Sequence, residues 1–193
     1  MAEPAVDHRR AIAERNAAAI LDATERLLAE RGTLSMAAIA SEAGVSRPTL
    51  YAHFRTLGDV VEAAVGRVIG ASLAAVEAAD PDAGPADEAL ERMLATSWSQ
   101  LARQDALARV AAEHVPSGHL HRAHAPLMAR TRALLERGQR EGVFRSDLPA
   151  DWLVTVFYAL VHGADEHARA QGMDRADGLE LLSTTIRDVV APR

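Results

Sequence analysis

Residues 44 to 54 constrain the fold of this chain most tightly, because they combine a sharp turn with the start of a helix. Gly44 lacks a Cβ atom and can adopt the left-handed conformation that ends one helix and turns the chain abruptly. Ser46 is placed to cap the next helix, and Pro48 falls in its first turn. The segment before the turn has the composition of a short helix with Ser35 as its N-cap. The pattern therefore predicts two short helices that cross at a steep angle.

Apolar residues on both sides of the turn are spaced to meet in one small core. Ala40 is small enough for the second helix to pass close to the first. The larger side chains that we expect to point inward are Ile39, Val45, Leu50 and Phe54. Two helices packed in this way form a helix-turn-helix, a motif that places its second helix in the major groove of DNA.

The sequence around this turn resembles the DNA-binding domain of the TetR family of transcriptional regulators. Residues Ile20 to Gly32 resemble the first helix of the family, and the segments 39–40 and 43–46 resemble its turn. The segment Thr49 to Phe54 resembles its recognition helix. The resemblance extends from Ile20 to about Val65 and implies a three-helix domain that binds duplex DNA.

Some features depart from the usual pattern of the family. The connection from Gly32 to Ile39 is shorter than usual, and no aromatic residue follows the glycine. Thr56-Leu57-Gly58 offers a hydroxyl and backbone amides where the family often has a lysine. The second helix starts with Met36-Ala37 and has no basic side chain there. We therefore expect weaker binding to phosphates than is usual for the family.

The resemblance and the side-chain chemistry together select a set of DNA-contacting residues. Arg47 begins the recognition helix, and its guanidinium can donate two hydrogen bonds to guanine in the major groove. Pro48 can touch a thymine methyl group, and Thr49 can meet a base or a phosphate. By resemblance, Tyr51 and His53 contact phosphates. The predicted set comprises Ser35, Ser46, Arg47, Pro48, Thr49, Tyr51, His53 and Thr56.

Each of these side chains also has a purely structural interpretation. Tyr51 could seal the edge of the core, and His53 could be an ordinary surface imidazole. Arg47 could pair with Glu42. The combination of all of them on one short segment favours DNA binding over the separate structural interpretations.

Composition and charge narrow the class of protein. The 193 residues are 49% hydrophobic and 4% aromatic, and they include no cysteine, which favours helices and excludes disulfides. No apolar run is long enough for a secretory signal or a membrane span, so we expect a soluble, cytoplasmic protein without membrane partners. The net charge of −6 opposes binding to phosphates. Residues 1–58, however, have seven arginines and seven acidic residues, so the excess negative charge lies in residues 59–193.

The chain after the helix-turn-helix shows helical periodicity that is interrupted at 80–85, at 116–118 and near 142–149. We predict helices from Thr56 to about Ala79, Ala86 to Arg103, Asp105 to Val115, His119 to Glu141, Asp147 to about Ala170 and Asp174 to Val190. The predicted fold is all-α with about nine helices. It comprises a DNA-binding domain over 1–58, with an N-terminal arm at 1–10, and a helical effector-binding and dimerisation domain over 59–193.

The last two predicted helices have apolar stripes at helical spacing. Burial against the rest of the same chain would explain such stripes. In the family that the chain resembles, these helices instead meet their copies in a four-helix bundle, and small residues permit close approach. We therefore predict a homodimer that engages two half-sites of a palindromic operator. The predicted interface comprises Leu153, Val156, Leu160, Gly163, Leu179, Leu182 and Ile186.

The middle of the second domain is where members of the family commonly bind a small molecule. Apolar residues there could line a cavity, and a few polar groups could orient a ligand. The candidates are Met93, Trp98, Glu113, His114, Met128, Phe157, Tyr158 and His162. Ordinary core packing is the alternative for each of them. The chemical identity of the effector does not follow from the sequence.

Other functions find less support in the sequence. Histidines occur at 114, 119, 121 and 124, but without cysteine and with only Glu113 nearby we expect no metal site. His162 and Glu166 are four residues apart on one helix, with no nucleophile and no phosphate-binding glycine loop, so we expect no enzyme and no cofactor. We predict a repressor that an effector releases from its operator. The alternative is a helical protein-interaction module that has lost DNA binding.

Overall fold

The computed structural model describes residues 3–31, 33–101 and 105–193, and these ranges form nine α-helices and no strand. The helices are α1 (Glu3–Arg31), α2 (Met36–Glu42), α3 (Arg47–His53), α4 (Leu57–Ala78), α5 (Ala86–Leu101), α6 (Asp105–His114), α7 (Ser117–Glu141), α8 (Ala150–Ala170) and α9 (Arg175–Val190). The all-α fold predicted from the sequence is confirmed.

Several helix ends differ from the predicted ones. α1 begins at Glu3, so the described part of the predicted N-terminal arm is helical. α5 ends at Leu101, and the predicted end at Arg103 lies outside the described residues. α7 begins at Ser117 because the carbonyl of Pro116 accepts a hydrogen bond from the amide of His119 at 2.8 Å and starts the helix earlier.

The chain forms two compact units whose bounds differ from the predicted domains. The first unit comprises Met1–Val68 and Asp105–Ala123, and the second comprises Ile69–Gln104 and His124–Arg193. α6 and the start of α7 therefore belong with the helix-turn-helix, although the sequence placed them in the second domain.

Contacts near the start of α4 explain why α6 and α7 join the first unit. The imidazole Nδ1 of His119 lies 2.8 Å from the carboxylate of Glu62. A Cβ atom at Gly58 would lie 2.9 Å from the carbonyl oxygen of His114, a distance that folded proteins essentially never show. Glycine at 58 therefore allows the end of α6 to lie against the start of α4.

An arginine further along α4 attaches this helix to α1. The guanidinium of Arg67 pairs with Asp22 at 2.6 Å and with Glu25 at 2.7 Å. The hydrogen bonds to these carboxylates raise the pKa of Arg67, against the opposing effect of burial. α4 is thus fixed to α1 by charged groups as well as by apolar packing.

The second unit has a large apolar core that α5, α7, α8 and α9 form together. Its fully buried side chains include Met93, Leu94, Leu134, Leu135, Leu153 and Leu182. At one side of this core, the guanidinium of Arg175 lies 4.1 Å from the ring centroid of Trp98, whose indole nitrogen donates to the carbonyl of Arg175 at 2.9 Å. Asp165, only 4% exposed, accepts hydrogen bonds from Arg175 at 2.5 Å and from Arg169 at 3.1 Å. These bonds fix α5, α8 and α9 to one another.

Candidate nucleic-acid interface and effector cavity

The turn between α2 and α3 has the geometry that the sequence predicts. Ser35 caps α2 by accepting a hydrogen bond from the amide of Ala38 at 3.2 Å. Gly44 has φ of +67°, the left-handed conformation that a side chain would strain. Ser46 caps α3 by accepting from the amide of Thr49 at 3.2 Å, and a proline stands in the first turn. Both predicted caps and the predicted glycine turn are confirmed.

A small apolar core fixes the orientation of α3. Leu50 of α3 is completely buried against Ile20 of α1, Ile39 of α2 and Val60 of α4. Phe54, which follows α3, is half-buried and packs against the same core. Because Leu50 points inward, the opposite face of α3 is directed to solvent.

The outer face of α3 consists of Arg47, Pro48, Tyr51 and Ala52, which are all exposed. Tyr51 is 50% exposed, which is unusual for an aromatic ring. Within the described part of the chain, no hydrogen bond or ion pair involves the guanidinium of Arg47 or the hydroxyl of Tyr51. Glu42, the alternative partner of Arg47, instead pairs with Arg26 at 2.9 Å. The outer face of α3 is therefore available to an external partner.

The other predicted DNA-contacting residues lie at the rim of this face. The hydroxyls of Ser46 and Thr49 are 2.8 Å apart. His53 is half-buried, and its ring centroid lies 6.3 Å from that of Phe54. Ser35 and Thr56 are exposed at the starts of α2 and α4. The predicted set thus divides into an outward-facing group on α3, a group at the helix starts, and His53 at the end of α3.

The start of α4 is a reciprocal cap between Thr56 and Asp59. The amide of Thr56 donates to the Asp59 carboxylate at 3.0 Å, and the amide of Asp59 donates to the Thr56 hydroxyl at 3.1 Å. The amide of Arg55 also donates to this carboxylate, at 2.9 Å. The hydrogen bonds from Thr56 lower the pKa of Asp59 below its ordinary range. The sequence analysis missed Arg55, an exposed basic residue beside the position where the family often has a lysine.

A cavity lies among α4, α5, α7 and α8 of the second unit. It is a partly open cleft with a volume of about 40 Å³, or about 460 Å³ when the space open to solvent is included. Its lining residues are Ile69, Ser72, Ser97, Gln100, Leu101, His124, Leu127, Phe157, Tyr158, Val161 and His162. Among these described lining residues, none is acidic and none is an arginine. The cavity is therefore mainly apolar and has uncharged polar groups and two imidazoles.

The predicted ligand-binding residues are distributed over different environments. Phe157, Tyr158 and His162 line the cavity. Met93 and Trp98 are buried in the core of the second unit, and Met128 packs against that core. Glu113 and His114 are exposed on α6, in the first unit. The sequence analysis missed Ser72, Ser97 and Gln100, since nothing in the sequence distinguishes them from other polar residues near an apolar stripe.

The polar groups at the mouth of the cavity influence one another. His162 is exposed at the rim, yet burial of its ring among apolar side chains lowers its pKa, and His124 lowers it further. The carboxylate of Asp165 acts in the opposite direction. The ring of Tyr158 lies nearly parallel to that of His162, with 6.4 Å between centroids, and burial raises the pKa of Tyr158. His162 is therefore mainly neutral near pH 7.

The residues predicted at a dimer interface also differ in exposure. Leu153, Leu182 and Ile186 are buried in the core of their own chain. Val156, Leu160 and Leu179 are half-buried, and Gly163 is exposed. Two large apolar residues that the sequence analysis did not select are more accessible: Trp152 is 55% exposed and Leu181 is 50% exposed.

The described residues form neither a metal site nor a membrane span. Among the described histidines and acidic residues, no group of three or more is arranged to hold a metal ion. No helix in the described ranges has both the length and the apolar character that crossing a bilayer requires.

Comparisons with known proteins agree with the fold and with the helix-turn-helix. A family model described as bacterial regulatory proteins, tetR family, matches residues 20–64. The HTH-type transcriptional repressor LfrR of Mycolicibacterium smegmatis is 32% identical over 173 residues, which cover 90% of this chain and 89% of LfrR. The crystal structure of the TetR-like regulator LfrR from Mycobacterium smegmatis in complex with proflavine matches with a TM-score of 0.65 and 28% identity, over 90% of this chain and 94% of LfrR. The fatty acid degradation regulator FadR from Bacillus halodurans shares the fold, with a TM-score of 0.77 and 19% identity, over 89% of this chain and 94% of FadR.

Proposed function

Since this chain belongs to the TetR family of DNA-binding transcriptional regulators, we propose that it is a repressor that a small molecule releases from a near-palindromic operator. The observation that carries the proposal is the outer face of α3, where Arg47 and Tyr51 are exposed and have no partner within the described chain. The direction of regulation is supported by the similarity to LfrR, which is a transcriptional repressor.

Each group on this surface has a distinct role in the proposed complex. Arg47 binds the edge of a guanine in the major groove, and Tyr51 binds a phosphate of the same groove. Ala52, one position further along α3, is small enough for the helix to approach the bases closely. Arg55 and the hydroxyl of Thr56 bind a phosphate where the family often uses a lysine. These two phosphate contacts partly offset the absence of that lysine.

The operator is bound by two copies of the chain. Apolar side chains on α8 and α9 remain accessible, above all Trp152 and Leu181, and contact with a second copy would bury them. A two-fold dimer presents two copies of α3 to half-sites that lie roughly 34–36 Å apart, which is one helical turn of DNA. Neither copy alone would bind DNA tightly, because each supplies few basic side chains.

The effector binds in the cavity of the second unit. The cavity is mainly apolar and has a few polar groups at its mouth, as ligand sites usually do. The complex of LfrR with proflavine supports a small-molecule effector for this chain. We assign no catalytic role and no cofactor to the chain. As a regulator of transcription, it would act in the cytoplasm, where the bacterial chromosome lies.

Binding to labelled duplexes that tile the region upstream of its own gene tests this proposal. Fluorescence anisotropy should identify one fragment that binds more tightly than the others and more tightly than a duplex of the same composition in scrambled order. The logarithm of the binding constant should fall linearly with the logarithm of the salt concentration, because phosphate contacts release counterions. If no duplex is bound even at low salt, the protein-interaction module becomes the better interpretation.

A further inference from the structure

The charge of the cavity lining restricts the class of ligand, provided that the cavity is the effector site proposed above. Among the described lining residues there is no carboxylate that could compensate a permanent cation. Removing a cation from water without an opposite charge is costly. The imidazoles of His124 and His162 would repel a cation further whenever either of them takes up a proton.

A desolvated anion, in contrast, finds donors on several sides of the cavity. Gln100 and the hydroxyls of Ser72 and Ser97 can donate hydrogen bonds. His124 is close enough to His162 for its charge to lower the pKa of His162. An anion beside the two imidazoles would act against this repulsion, since it favours the protonated form of His162. Hydrogen bonds from charged donors to a carboxylate are also stronger than those between neutral groups.

The apolar part of the cavity is suited to a flat ring. Phe157, Tyr158 and His162 of α8 all line the cavity, and the ring centroids of Phe157 and Tyr158 are 5.7 Å apart in an edge-to-face arrangement. Tyr158 and His162 are nearly parallel. Aromatic ligands gain from offset or edge contacts with rings arranged in this way.

We propose that the cavity binds an aromatic carboxylate, whose ring lies against Phe157 and Tyr158 and whose carboxylate is held by His124 and His162. Binding takes up a proton, because the carboxylate stabilises the imidazolium form. The affinity therefore increases as the pH falls through the titration range of His162.

Other titratable groups around His162 leave this direction unchanged. The described lining residues on α4 and α5 are uncharged, and α7 supplies His124. On α8 itself, Asp165 favours the protonated form of His162, but Arg169 and Arg175 already hold its carboxylate. Tyr158 stays neutral because burial raises its pKa. His162 is thus the group that takes up the proton.

Isothermal titration calorimetry with three probes of the same ring tests the proposal: 2-naphthoate, 2-naphthamide and 2-naphthamidine, whose head groups are anionic, neutral and cationic. The protein is used without DNA, so the result does not depend on operator binding. We expect 2-naphthoate to bind roughly tenfold more tightly than 2-naphthamide at about pH 6, in line with the strength of charge-assisted hydrogen bonds. Its affinity should fall at about pH 8, where the imidazole of His162 is neutral. Titration in two buffers of different ionisation enthalpy should show proton uptake.

Variants locate the effect within the cavity. His124→Gln and His162→Gln should each reduce the preference for 2-naphthoate over 2-naphthamide, and His162→Gln should also reduce proton uptake. His121→Gln is the matched control, because His121 is exposed on α7 and does not line the cavity. It should behave like the unaltered protein.

Equal affinity for the three probes, tightest binding of 2-naphthamidine, or no binding of 2-naphthoate at millimolar concentration would each overturn the proposal. A reduced preference in His121→Gln as large as in the cavity variants would do the same. If 2-naphthoate binds as expected but leaves the complex with DNA intact, the ligand assignment is supported and the effector role proposed above is contradicted.

Discussion

Arg47 and Leu50 are three residues apart in α3 and have opposite environments. Leu50 is buried among α1, α2 and α4, and it holds the helix in one rotational position. Arg47 is consequently directed to solvent, where Glu42 leaves it free because Glu42 pairs with Arg26. The proposed function therefore depends on one buried leucine and on a guanidinium that has no partner among the described residues.

Arg47→Ala should weaken binding to the preferred duplex by about 1–3 kcal/mol and reduce discrimination at one base pair, because a bidentate contact to guanine is lost. Tyr51→Phe should weaken binding to all duplexes alike, since a phosphate contact is independent of sequence. Fluorescence anisotropy on the preferred and on single-base-altered duplexes measures both effects. Arg140→Ala, which removes an exposed arginine of the second unit, is the control. Unchanged binding of both α3 variants would contradict the assignment of α3.

Helix ends and helix contacts decide how the candidate sites are positioned. α4 starts at the reciprocal cap of Thr56 and Asp59, directly after the recognition helix. α7 continues through Pro126, and near its end Gly138 lies against the ring of Phe144. These features fix where α4 begins and how the end of α7 packs against the residues that follow it.

Asp59→Asn should lower thermal stability at neutral pH, because the cap loses its charged acceptor. The folded protein lowers the pKa of Asp59, so its contribution is present above the unfolded pKa and is lost as the pH falls through the folded pKa. The difference in melting temperature between the unaltered protein and the variant should therefore shrink in acid. Asp177→Asn is the control, because Asp177 holds the same position in the first turn of α9 but accepts no hydrogen bond from a backbone amide of the described residues. An equal loss in both variants at neutral pH would contradict the capping role.

Gly138→Ala should destabilise the second unit. A Cβ atom at 138 would lie 1.9 Å from the Phe144 ring, which is buried in the core and has little room to move. We expect a cost of about 1–3 kcal/mol, as is typical when a core is overpacked. Gly70→Ala is the control: it meets nothing within 4 Å and should stabilise α4 by up to about 1 kcal/mol. Urea unfolding of both variants measures the difference, and similar stability for the two would contradict this account of α7.

The accessible apolar surface of α8 and α9 bears on the whole molecule. The chain buries Leu182 and Ile186 in its own core, but it leaves Trp152 and Leu181 at least half exposed. Contact with a second copy of the chain would remove these apolar side chains from water, which is favourable. The proposed dimer would bury this accessible apolar surface. It would also supply the second copy of α3 that a palindromic operator requires.

Multi-angle light scattering at micromolar concentration should give a mass twice that of one chain. Leu160→Glu should shift the equilibrium toward the monomer, because a charge would be buried in the proposed interface. It should also weaken operator binding, since the two copies of α3 are no longer linked. Ala112→Glu, an exposed substitution on α6, should leave both properties unchanged. A single-chain mass for the unaltered protein would rule out the dimer.

The local geometry of the helix-turn-helix follows from the sequence alone. Gly44, Ser46 and Leu50 act through turn conformation, capping and helical spacing, and all of these depend on residues that are near one another in the chain. For this reason the two caps, the turn and the buried face of α3 could be predicted before any tertiary contact was known.

Which distant residues meet depends on the tertiary structure. The pair of Glu62 and His119 joins positions that are 57 residues apart, and helical periodicity gave no sign that α6 would lie with the DNA-binding unit. Periodicity also did not separate the core residues Met93 and Trp98 from the cavity residue Phe157, because all three belong to apolar stripes. The cavity and its two histidines arise where four helices pack together, and that packing depends on the shapes of side chains that are distant in sequence.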